Sequence, residues 1–155
     1  MSQIQILVGS VTGTAEGVAK VVADALEADG HTTSINTAAQ VEDLVRAPEE
    51  ILLICTANTG SGDLPDNLQP LYHQINREFP AIAGRLYGII NLGDSSYATF
   101  GEAGQALDEA LEDLGAKRLG EPLVLDASTG EDPEVLAQHW LSEHWLPRLP
   151  ETPPL

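Results

Sequence analysis

The residues best suited to chemistry stand in three short loops, none of which contains Lys or Arg. The first, Ser10-Val11-Thr12-Gly13-Thr14-Ala15-Glu16, offers three hydroxyls and a glycine between an apolar run and a helical pattern. Amides in the first turn of a helix have no intrahelical partner, and the helix dipole favours negative charge there. Hydroxyls set against such a turn make a phosphate site without any cation. The same residues also serve as ordinary helix caps, so this loop alone leaves both uses open.

The second loop, Thr56-Ala57-Asn58-Thr59-Gly60-Ser61-Gly62-Asp63-Leu64-Pro65-Asp66-Asn67, carries two glycines that allow close backbone approach to a flat ligand and positive φ. The third reads Leu92-Gly93-Asp94-Ser95-Ser96-Tyr97-Ala98-Thr99-Phe100-Gly101. Gly93-Asp94 suits a tight turn there, and Tyr97 offers an aromatic face. A phosphate cradle, a glycine-bearing wall and a tyrosine wall together suit a phosphorylated planar heterocycle. Each loop alone reads equally well as a plain turn; three at corresponding strand ends do not.

The elements that must position these loops alternate between strand and helix. Apolar runs rich in branched residues predict buried strands at 4–8, 51–55 and 86–92, with a polar edge strand at 31–37 and a fifth strand at 122–125. Helical spacing of apolar residues predicts helices over 17–28, 40–45, 68–76, 100–114 and 132–146. The first stops at Asp29-Gly30. The expected fold class is α/β: a doubly wound, five-stranded parallel sheet with helices on both faces. Ligands of such sheets bind beyond the carboxyl ends of the strands, where strand order reverses. The three loops follow the first, third and fourth strands and would meet at that crevice if those strands are neighbours. A single domain over residues 1–148 is expected, with a proline-rich tail at 149–155.

Composition narrows the function classes. Seven Lys+Arg against 24 Asp+Glu give a net charge of −17, which disfavours nucleic acid and anionic membrane and favours basic partners. No apolar run approaches the roughly 18 residues of a membrane span. The chain enters its first strand without a basic leader, and its one cysteine, Cys55, lies in an apolar run where a buried thiol is expected. These features favour the cytoplasm.

The three loops, in this order, resemble the flavodoxins and the FMN-binding domains of diflavin reductases. The matching segments are Ser10 to Glu16, Gly60-Ser61-Gly62-Asp63-Leu64-Pro65-Asp66-Asn67 and Leu92 to Tyr97. The second loop is most similar to that of MioC-type flavodoxins, and the short connection after the fifth strand resembles the short-chain class. The resemblance implies the flavodoxin-like strand order 2-1-3-4-5 and FMN, held without a covalent bond, in an electron carrier that is no enzyme in its own right. Ser10, Val11, Thr12, Gly13, Thr14 and Ala15 would then hold the phosphate. Ala57, Asn58, Thr59 and Gly60 would line the inner face of the flavin. Leu92, Gly93, Asp94, Ser95, Ser96 and Tyr97 would follow its pyrimidine edge, with Tyr97 on the outer face and Phe100 and Gly101 closing the loop. Thr59 stands where many relatives have Trp or Tyr, which weakens the expected inner stacking.

An NADPH-dependent flavodoxin reductase and acceptor redox proteins are the implied partners of a monomer. They would dock on an acidic rim at Asp63, Asp66, Asp94 and Glu102. Asp108, Glu109, Glu112 and Asp113 extend that rim or form a plain solvated helix face.

Other readings fit less well. The fingerprint G-x-G-x-x-G is absent, Gly9, Gly13 and Gly17 being four apart, and no G-K-[ST] occurs. A receiver domain needs acids after the first and third strands and a lysine after the fifth, where Gly9-Ser10, Thr56 and Asp126 stand. His139 and His144, five apart, do not share a helix face as zinc ligands would, so no metal site is expected. They and Trp140 and Trp145 are expected to pack or solvate the last helix. The alternative that stays open is an FMN-dependent quinone- or azo-type oxidoreductase on the same fold.

Overall fold

The computed structural model describes residues 2–11, 13–58, 64–94 and 101–149. Strand β1 (Gln3–Gly9) leads through the first loop to α1 (Thr14–Ala28), and β2 (Thr32–Asn36) to the short α2 (Val41–Val45). Strand β3 (Ile51–Ala57) is followed by α3 (Gln69–Glu78), and β4 (Leu86–Gly93) by α4 (Glu102–Asp113). Two short strands, β5 (Lys117–Arg118) and β6 (Leu123–Asp126), precede α5 (Pro133–Trp140). The sheet is parallel, in the order β2-β1-β3-β4-β5, with β6 also paired to β4.

Side-chain alternation along the strands feeds two cores. Ile51, Leu53 and Cys55 of β3 join Ile4, Ile6 and Val8 of β1 in packing with α1, Trp140 and Trp145. Leu52 and Ile54 point to the other face and meet Leu71 and Ile75 of α3 and Leu107 and Leu111 of α4. The central strands are therefore apolar on both sides, which is why they read as continuous runs rather than alternating ones.

The boundaries differ from expectation in three places. α1 starts at Thr14 rather than at residue 17, because a first turn tolerates polar residues that carry no apolar spacing. The fifth sheet position is shared by β5 and β6, which pair with Leu86–Tyr87 and with residues 90–93 of β4 in turn. Residues 119–122 separate them; Gly120 has φ 74° and Pro122 lacks an amide for a ladder bond. This interruption leaves a cleft of about 360 Å³ lined by Asn91, Gly104, Asp108 and Arg118 among others. Finally, the last helix widens after α5 into a π-helical turn over Leu141–Trp145. Trp140 and Trp145 stack with ring centroids 5.9 Å apart, both buried. Leu149, expected to open the tail, packs against the core beneath them; residues 150–155 lie outside the described residues.

Strand register levels the carboxyl ends that carry the loops. Gly9 pairs with Thr56, Ala57 with Leu92, and Gly93 with Asp126. Strand order reverses between β1 and β3, so the first and second loops leave the sheet on either side of the switch point and the third leaves beside the second. No helix among the described residues is long and apolar enough to cross a membrane.

Candidate functional site

The first loop is shaped by a missing side chain at Gly9. A Cβ there would lie 2.5 Å from Thr56 Oγ1 and 2.9 Å from Leu68 Cδ2, so only glycine lets β1 end this close to its neighbours. Ser10 then turns back on the loop: its Oγ accepts the Gly13 amide at 2.9 Å. Its own amide donates to Asn67 Oδ1 at 3.1 Å. Asn67 Nδ2 donates in turn to the carbonyls of Val8 (2.7 Å) and Thr37 (2.9 Å), fixing the floor of the loop from behind.

Gly13, with φ 93°, is the N-cap of the 15-residue α1 and supplies no side-chain cap. Open space faces it: nothing lies within 4 Å of a Cβ built there. Thr14 and Val11 are exposed, and the buried Ala15 carbonyl accepts the Cys55 thiol at 3.4 Å. Burial pushes that thiol's pKa up to about 12, making Cys55 a packed structural group. A helix N-terminus without a capping side chain, an exposed threonine and a glycine facing open space form a donor set that fits a phosphate.

The second and third loops are joined by side chains. Asn58, just past β3, donates through Nδ2 to Asn91 Oδ1 (2.8 Å) and to the Leu92 carbonyl (2.7 Å). Its Oδ1 accepts the Ala103 amide of α4 at 2.6 Å. Asn91 Nδ2 donates to the Gly101 carbonyl at 2.8 Å. The side chain of Asn58 is thus turned to protein, and its main chain faces the crevice end of β3 with Ala57. Leu92 is buried beneath, while Gly93, Asp94 and Gly101 are half-buried at the rim. Of the residues singled out from the sequence, Thr12, Thr59, Gly60, Ser95, Ser96, Tyr97 and Phe100 lie outside the described residues, as does Asp63. Ser10, Val11, Gly13, Thr14, Ala15, Ala57, Asn58, Leu92, Gly93, Asp94 and Gly101 all sit at the level carboxyl ends of β1, β3 and β4.

The acidic surface needs one correction. Asp108 does not belong to it: its side chain is buried, accepts the Tyr87 hydroxyl at 2.6 Å and pairs with Arg118. Burial and this hydrogen bond push the Tyr87 phenol well above its ordinary pKa. Asp66, Glu102, Glu109, Glu112 and Asp113 are exposed. Among the described residues, no cluster of His, Cys, Asp or Glu could hold a metal ion. Asn91 and Gly104 shape the site without having been marked by the sequence, and Asn67 was marked only as the last residue of the second loop. An asparagine reads as a turn residue until its distant partners are known.

Comparison with known proteins agrees with this fold. The flavodoxin family model matches residues 6–140. The chain is 39% identical over 145 residues to Flavodoxin YqcA of Pectobacterium carotovorum, covering 94% of this chain and 95% of that relative. It is 36% identical over 146 residues to protein MioC of Escherichia coli K12, covering 94% and 97%. Among solved structures, a cysteine-to-serine mutant of the flavodoxin from Pseudomonas aeruginosa superposes with a TM-score of 0.84 at 44% identity, covering 91% of this chain and 95% of that one. The chain therefore belongs to the flavodoxin family and has FMN as its cofactor.

Proposed function

We propose that this flavodoxin is a one-electron carrier that accepts electrons from an NADPH-dependent reductase and delivers them to acceptor redox proteins. The observation that supports the reading most is that β1, β3 and β4 end side by side at the switch point, with the α1 N-terminus uncapped at Gly13. FMN, when bound, supplies a ring that takes up and releases electrons singly. Ser10, Val11, Thr12, Gly13, Thr14 and Ala15 hold its phosphate through amides and hydroxyls. The main chain at Ala57 and Asn58, continuing to Thr59 and Gly60, lines the inner face of the ring. Leu92, Gly93, Asp94, Ser95 and Ser96 would follow its edge, Tyr97 would cover the outer face, and Phe100 and Gly101 would complete the site.

The chain is a monomeric, cytoplasmic carrier with no substrate of its own. Its acidic rim, at Asp63, Asp66, Asp94 and Glu102, steers a basic partner toward the exposed edge of the ring. The test is reduction of the FMN-loaded protein by a basic NADPH-dependent flavodoxin reductase at rising salt. The rate should fall markedly past about 0.15 M, where the Debye length is about 8 Å. Charge reversal at Asp66 and Glu102 should flatten that dependence. A rate insensitive to salt would remove the docking role of the acids. Turnover of quinones with NAD(P)H and no reductase would replace the carrier by an oxidoreductase.

A further inference from the structure

We infer that Asn58 is a positioning residue: paired with Asn91, it fixes the loop after β4 against the loop after β3, holding the two ring-side walls in one register. This rests on the FMN site proposed above. Strand β4 ends at Gly93 and α4 starts at Glu102 after its N-cap Gly101, and the amide group of Asn58 reaches residues on both of these elements. On β4 it donates to the Leu92 carbonyl at 2.7 Å. On α4 it accepts the Ala103 amide at 2.6 Å, within the first turn. The N-cap of α4 is Gly101, with φ 80° and no side chain, so the acceptor that a cap residue normally provides comes from a different loop.

Asn91 completes the device. Its Oδ1 takes the second Asn58 proton at 2.8 Å and its Nδ2 holds the Gly101 carbonyl at 2.8 Å. Asn91 is 6% exposed and Asn58 half-buried, so a broken link leaves the Asn91 amide group without its partner and largely shielded from water. Gly104 makes room for it: a Cβ there would lie 2.5 Å from Asn91 Nδ2. Helix α4 thus rests directly on the asparagine pair. The side chains of Asn58 and Asn91 are spent on this arrangement, so they act on FMN through the loop they hold.

A role in helix stability alone predicts a lower melting temperature with unchanged ligand binding in the folded protein. A positioning role predicts a binding defect with a particular signature, measured on apoprotein titrated with FMN and with riboflavin. Asn58→Ala should weaken both ligands by about the same factor, roughly tenfold, since three part-buried hydrogen bonds are lost and the ring is common to both. Asn91→Ala should do likewise, and the double variant should lose little beyond either single one, as expected of residues acting as a unit. Asn58→Asp, nearly identical in size, keeps the acceptor for Ala103 but loses both donors; it should show the same defect if the alanine variant does not fold.

Amide hydrogen exchange gives a second readout. FMN should slow exchange at Ala103 in wild type and much less so in Asn58→Ala. Folded Asn58 variants that bind both ligands like wild type, or losses that multiply in the double variant, overturn the inference while leaving the FMN site standing. Wild-type apoprotein that binds neither ligand overturns both.

Discussion

Gly9 and Thr56 are register partners at the point where the strand order reverses, and the bare Cα of Gly9 stands directly against the Thr56 hydroxyl. Thr56 is itself fully buried, so it has no open space into which it could move. Gly9→Ala should destabilise the fold by about 1–3 kcal/mol, the usual cost of overpacking a filled core. Because Ser10 follows immediately, the variant should also weaken FMN binding. Urea unfolding and a flavin titration on the same preparation would check both effects.

The phosphate loop can be separated from the ring walls by its ligand preference. Thr14→Val removes an exposed hydroxyl beside the α1 N-terminus, and Ser10→Ala releases the Gly13 amide from its 2.9 Å bond. A hydrogen bond to a charged group contributes about 1.5–3 kcal/mol, so Thr14→Val should cost about ten- to a hundredfold in FMN affinity and little for riboflavin. Ser10→Ala should act in the same direction, with a smaller effect because it works through the shape of the loop. Equal losses for FMN and riboflavin would place the phosphate elsewhere.

Much of this arrangement was legible in the chain, and the parts that were not share a physical cause. The apolar runs of β1, β3 and β4 are unmistakable because both of their faces are buried. Strand β5 was not: two polar residues, Lys117 and Arg118, form it only because Leu86 and Tyr87 lie alongside. Asp108 looked like one more acid on a solvated helix. Its partners Tyr87 and Arg118 are brought in by the sheet, and no local pattern points to them. The three loops were readable from residue types alone, whereas Asn67 and Asn91, which brace them, depend on contacts formed only in the fold.

A substitution far from the loops should separate stability from binding. Gly88 lies under Trp145, where a Cβ would come 2.8 Å from Trp145 Cε2 and 3.1 Å from Leu53 Cδ1. Trp145 is fully buried and cannot swing into solvent. Gly88→Ala should therefore lower stability by about 1–3 kcal/mol. At about 3.3 Å per residue along β4, the site is roughly 16 Å away, and FMN affinity should stay within about twofold of wild type. Thermal melts and flavin titrations of Gly88→Ala alongside Gly9→Ala would show the contrast.

The buried thiol makes stability depend on alkaline pH. Burial raises the Cys55 pKa from the ordinary thiol value of 9.0 to about 12, so the native state keeps a proton that the unfolded chain releases. The stability this group contributes is fully present below about pH 9 and declines between about pH 9 and 12, by up to tenfold in the unfolding equilibrium per pH unit. Denaturant midpoints measured from pH 7 to 11 should fall more steeply above pH 9 for wild type than for Cys55→Ala. Parallel curves would mean that the thiol is not what the alkaline loss reports.

The central claim is that the open α1 N-terminus at Gly13 and the strand-end loops beside it hold FMN by its phosphate. Calorimetric titration of the flavin-free protein with FMN, and separately with riboflavin, tests it most directly. The account predicts one FMN per chain, with riboflavin bound at least tenfold more weakly because its phosphate contacts are missing. A protein that binds neither flavin, or binds riboflavin as tightly as FMN, would contradict it.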